Sequence, residues 1–110
     1  MIDWQRVQTL RDEIGAEDFE EVVPLFIDEV STVTEKLRTN PDTANLAGDL
    51  HFLKGSALNL GFAAFSTLCH AGEVRATAGD AESVDIGEIL DCFDQSKLAF
   101  DAGLDHGICP

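Results

Sequence analysis

Apolar residues recur at three- and four-residue steps along most of this chain, and nowhere do they alternate for long with polar ones. The first pattern lines one stripe of an α-helix, whereas a half-buried strand needs the second, so the chain is constrained to an all-α fold. The clearest case runs from about Asp18 to Arg38, where Phe19, Val22, Val23, Phe26, Val30, Val33 and Leu37 form an apolar stripe with acids opposite. Pro24 inside that stretch predicts either a kink or the first regular turn. Breaks at Gly15, RTNPD, Gly61 and AGDAES divide the chain into a short helix and four longer ones.

The short helix, near Asp3 to Ile14, places Val7, Leu10 and Ile14 on one side. The third has Asn40 or Asp42 as candidate cap, Pro41 at an early position where its missing N–H does no harm, and Gly61 as a stop after Leu60. The fourth spans about Phe62 to Ala78 and ends at Gly79. The fifth spans about Ser83 to Phe100, with Ile86, Ile89, Leu90, Phe93 and Phe100 facing inward. The tail GLDHGICP is expected to be loosely held. Short connections between long amphipathic helices favour antiparallel neighbours, hence an up-and-down four-helix bundle with a short additional N-terminal helix. Its 110 residues suffice for one core, so residues 1–110 read as one domain.

Charge narrows the function. With 21 acids against 7 bases the formal net charge is -14, which disfavours nucleic acid and anionic membrane surfaces alike. A protein partner with a basic or neutral docking face is the expectation. Three cysteines without CxxC spacing indicate neither a disulfide framework nor a zinc knuckle, and fit a reducing cytoplasm. No stretch reads as a leader or a membrane span. The starting methionine and the length favour a free-standing cytoplasmic protein, with a monomer as the simplest state.

The stretch HFLKGSALNLG, from His51 to Gly61, carries a glycine inside a helix at a cost of about 1 kcal/mol relative to alanine. With His51 at zero on a helical wheel, Leu46, Leu50, Leu53, Ala57 and Leu60 gather between about 180° and 260° and mark the buried face. His51 therefore points outward, among Ala44, Ala47, Gly48, Gly55 and Leu58, with Lys54 at about 300°. Exposed helix positions usually carry long polar side chains, so this set of small ones leaves the imidazole standing clear. Gly55, one turn away, admits the close approach of another protein. A neutral ring nitrogen is a competent nucleophile, and a lysine acts as a point charge toward phosphate oxygens. The constellation suits a transiently phosphorylated histidine, although a histidine and a lysine at this spacing also arise by accident on solvated helices.

HFLKGSALNLG resembles the signature of histidine-containing phosphotransfer (HPt) domains of multistep phosphorelays, with His51, Lys54, Gly55, Ser56, Leu60 and Gly61 in the matching places. LFIDEV, around Phe26, and CHAGEVRATAG, with Cys69, Glu73 and Gly79, resemble two further segments of the family. Gly72 departs from the leucine often found there, which predicts looser packing of the fourth helix. The resemblance implies that His51 is the phosphoacceptor, that Lys54 holds or orients the phosphoryl group, and that Gly55 gives clearance to a docking receiver domain. Ser56, near 140° on the wheel, faces a neighbouring helix and is assigned to packing or hydrogen bonding.

The resulting expectation is a phosphoryl carrier between receiver-domain aspartates and not an enzyme. No nucleotide-binding loop is present, so no ATP-dependent kinase activity is expected. It should need no cofactor or metal of its own, because the receiver supplies the magnesium ion. The alternative is a phosphorylation-independent helical adaptor that binds a signalling partner through Leu58. His70 and Glu73 form one pair in reversed order, short of the two Glu-x-x-His motifs of a di-metal bundle. Cys69 and Cys92 read as core filler, while Cys109 and His106 fall in the tail. The acids of RDEIGAEDFEEVV read as a solvated face favoured by a helix start. Phe62 could belong to a contact patch or turn inward.

Overall fold

The helices expected from periodicity are present in the structure, a computed structural model that describes residues 2–40 and 44–105. They are α1 (Trp4–Ile14), α2 (Ala16–Thr39), α3 (Leu46–Leu60), α4 (Ala63–Thr77) and α5 (Ile86–Asp105), with one turn of 3-10 helix at Ala81–Ser83. Around the bundle α2 packs on α3 and α5, and α4 packs on the same two, while α1 lies across α2 and α3. The result is an elongated four-helix bundle of 42 × 21 × 21 Å with an extra N-terminal helix.

Local chemistry accounts for the ends. Asp3 caps α1 by accepting from the Arg6 N–H at 3.2 Å. Gly15, at φ 88°, ends that helix and permits α2 to start at Ala16, slightly earlier than its apolar stripe suggests. Pro24 lies well inside α2 and not in its first turn. Asn40 closes α2, its N–H donating to the Lys36 carbonyl at 2.8 Å, so it is not the cap of α3. Asn45 takes the position before α3; Pro41 and Asp42 lie outside the described residues. The start of α5 is also later than expected. Ser83 is occupied in the 3-10 turn, donating to the Asp80 carbonyl, and Asp85 accepts from the Glu88 N–H at 3.0 Å instead. At its other end α5 runs on to Asp105, so Gly103 is helical and buried; a Cβ there would collide with the Trp4 ring. His106 and Cys109 lie outside the described residues.

The core is the inward face of α3 surrounded by its neighbours. Leu46, Leu50, Leu53, Ala57 and Leu60 are at most 1% exposed, and burying each leucine contributes about 1.5–3 kcal/mol. Val7, Phe19, Val23, Val30, Leu37, Phe65, Ile89, Leu90, Phe93 and Phe100 close around them. Val22, Phe26 and Val33 sit at the edge of the α2 stripe and are half-buried. Ser56 is buried, as its place on the wheel requires. Gly72 does not loosen α4: a Cβ there would lie 2.9 Å from Leu50 Cδ1 and 3.2 Å from Val84 Cγ1, so neighbouring side chains already fill the space.

Two residues, Gly61 and Phe62, join α3 to α4. Gly61 adopts the left-handed conformation at φ 79°, which stops α3, and any side chain there would strike the Asp3 carbonyl. The Asp3 N–H donates to the Gly61 carbonyl at 2.7 Å and ties the start of the chain to this turn. Phe62 turns inward, its ring 5.3 Å from that of Phe100 and 6.3 Å from that of Phe93. It is therefore core and not a contact surface.

Candidate functional site

The outward face of α3 meets α4 at a cluster of three polar side chains. His51 is 73% exposed, with its Nδ1 3.0 Å from Oε2 of Glu73. Lys54, one turn further along α3, places Nζ 2.7 Å from Oε1 of the same carboxylate. Glu73 itself is 14% exposed and Lys54 23%, so the imidazole projects from a partly shielded ion pair.

Hydrogen bonds from Lys54 and His51, together with their charges, hold the Glu73 carboxyl below the usual glutamate range against the opposing effect of desolvation. It is therefore an anion at neutral pH and can only accept. The ring must donate from Nδ1, which in the neutral imidazole leaves the lone pair on Nε2. A partly shielded carboxylate that orients an imidazole in this way leaves the ring able to act as a nucleophile.

Around the ring the surface is open. A Cβ placed on Gly48 or on Gly55 would meet nothing within 4 Å, so neither glycine is required by packing. Leu58 is 58% exposed on the same face. Ala47 is half-buried and Ala44 exposed. All five residues singled out from the sequence, His51, Lys54, Gly55, Gly48 and Leu58, thus fall on one side of α3.

Sequence reasoning missed the role of Glu73, which it placed only in a family segment and in a metal pair with His70. Both of its oxygens face Lys54 and His51, and His70, one turn earlier on α4, is exposed. Lys54 accordingly reaches the ring's surroundings through Glu73. Phe52 and Val74, neighbours in sequence of His51 and Glu73, are also exposed and were not anticipated. Phe52 could have been found, because at about 100° on the wheel it lies off the buried arc. Among the described residues no group of three or more His, Cys, Asp and Glu side chains could hold a metal ion. Burial pushes the Cys69 thiol up to about 12, which makes it an inert part of the core.

No curated protein and no solved structure gives a significant match to the chain. The model of one family, the Hpt domain, matches residues 21–99, a span that includes α3, α4 and every residue of the cluster. An all-α bundle with an exposed histidine on its third helix agrees with that match, and the chain belongs to the Hpt domain family of histidine phosphotransfer modules in phosphorelays.

Proposed function

We propose that this protein carries a phosphoryl group on His51, between aspartates of receiver domains in a two-component phosphorelay. The observation that carries this reading is the ring itself: exposed, held at Nδ1 by an ionised Glu73, and without a partner at Nε2 among the described residues. In the transfer step the Nε2 lone pair attacks the phosphorus of a receiver's aspartyl phosphate. An N–P bond forms, the P–O bond to the aspartate breaks, and that carboxylate leaves with the bonding electrons. The ring gains positive charge as it does so, and Glu73 lies where that charge develops.

Lys54 stands ready to exchange part of its bond with Glu73 for the phosphoryl oxygens. Gly48 and Gly55 give a docking receiver room, and Leu58 offers it apolar contact. Because phosphoryl transfer depends chiefly on positioning and charge stabilisation, the receiver's magnesium ion supplies the remainder, and this chain brings no cofactor. We read it as a monomeric carrier of the cytoplasm and not a kinase; no helix among the described residues is long and apolar enough to cross a membrane.

The test is phosphate transfer from a panel of labelled phospho-receivers to the wild-type chain and to His51→Gln. An acid-labile, base-stable label on the wild type alone is the expected result. Labelling of both chains would remove His51 from the role. No label on either, with helicity intact and a receiver still bound, would leave the adaptor reading.

A further inference from the structure

A hollow of about 470 Å³ opens between α1, α2 and α5, and no residue of α3 or α4 lines it. Its floor is apolar, made by Phe19, Val23, Ile27 and Phe100. Its rim carries the carboxylates of Glu20, Asp28 and Asp101 against one guanidinium, that of Arg11. Four other basic side chains, Arg6, Lys36, Arg38 and Lys54, are joined to acids elsewhere on the molecule. The rim carboxylates, by contrast, have no salt bridge among the described residues.

Pro24 adds a further acceptor. It too lines the hollow, and having no N–H it returns no helical hydrogen bond to the carbonyl of Glu20, four residues earlier. Three carboxylates and a carbonyl without its helical donor call for N–H donors with positive charge. The floor calls for an apolar side chain between them. We infer that this groove docks a basic amphipathic segment of a partner protein, seating an apolar side chain on Phe19, Val23, Ile27 and Phe100 and pairing flanking Lys or Arg with Glu20, Asp28 and Asp101.

A second copy of this chain is a poor occupant, since each copy brings a net charge of -14. Anionic ligands are repelled by the same rim. Arg11, Phe19, Glu20, Phe100 and Asp101 lie outside residues 21–99, so most of the groove is built from parts of the chain that the family match does not reach. The surface is separate from the His51 face, and its use does not depend on the phosphocarrier reading.

The groove has its own optical reporter. Trp4, the chain's single tryptophan, stacks on Phe100 with ring centroids 5.8 Å apart and planes 3° from parallel. A synthetic Leu/Lys peptide patterned as an amphipathic helix, free of Trp and Tyr, should change Trp4 emission saturably at physiological salt. Glu20→Lys combined with Asp28→Lys should weaken binding by at least about tenfold, and Asp101→Lys alone should weaken it less. A peptide with serine in place of leucine should give no saturable response, and His51→Gln should bind as wild type. Equal binding of the serine peptide would reduce the effect to bulk charge and overturn the proposal. Binding undiminished by the rim reversals, binding lost in His51→Gln, or a dimer in sedimentation that the peptide dissolves would overturn it too.

Discussion

Lys36 and Lys54 each bridge α3 to an adjacent helix through one carboxylate. Lys36 reaches from α2 to Asp49 at 3.1 Å, and Lys54 reaches from α3 to Glu73 on α4 at 2.7 Å. In kind the two bonds are alike. The first joins an exposed lysine to a half-buried acid and involves no third group among the described residues; the second is shielded on both sides and shares its carboxylate with an imidazole. A bridge of the first sort is worth about 0–1 kcal/mol to the fold. The second sets the tautomer of a ring that faces solvent, and the difference lies in His51, not in the salt bridge.

The largest expected effect comes from cutting the second bridge at its centre. Glu73→Gln removes the anion but keeps the shape, and transfer to and from His51 should slow by about 10- to 100-fold, the kinetic worth of one charge-assisted hydrogen bond. Unchanged rates in a folded variant would erase the distinction between the two bridges. Next in size, Gly55→Gln should leave helicity unchanged and slow transfer by about tenfold through obstructed docking; equal rates would show that the open space beside the ring is unused.

Acid titration sharpens the contrast further. Glu73 is held below its unfolded value, so its contribution to stability is present above the ordinary glutamate range and is lost as pH falls through the lowered one. Wild type should therefore lose more stability than Glu73→Gln between neutral pH and that acid limb, as read from urea unfolding. Parallel curves would mean that the carboxylate does not stabilise the fold. The smallest effect belongs to Lys36→Ala, which should cost at most about 1 kcal/mol and leave transfer untouched. A loss of transfer there would make the two bridges equivalents.

How much of this was legible in the sequence depends on whether a feature is local. The outward direction of His51 and the buried face of α3 follow from one helix's own periodicity, and both agree with the structure. Glu73 was not legible as a partner, because which side of α4 meets the ring depends on packing between two helices 22 residues apart in sequence at that point. The start of α3 was blurred by Asn40, Asp42 and Asn45, polar residues that can each cap a helix, within a few positions. Gly72 misled in a different way. A missing side chain suggests slack only while its neighbours are unknown, and here Leu50 and Val84 occupy the room.

The two-residue link at Gly61 and Phe62 acts as the phase setting of the site. His51 and Glu73 stand on opposite arms of the hairpin it closes, nearly level with each other. One residue added to the link would turn α4 by about 100° and slide it about 1.5 Å against α3 if the helix were simply extended backwards. That would swing Glu73 off the imidazole while leaving every side chain of the cluster in the sequence. The pairing of His51 with Glu73 is thus set by the length of a turn that contributes neither side chain.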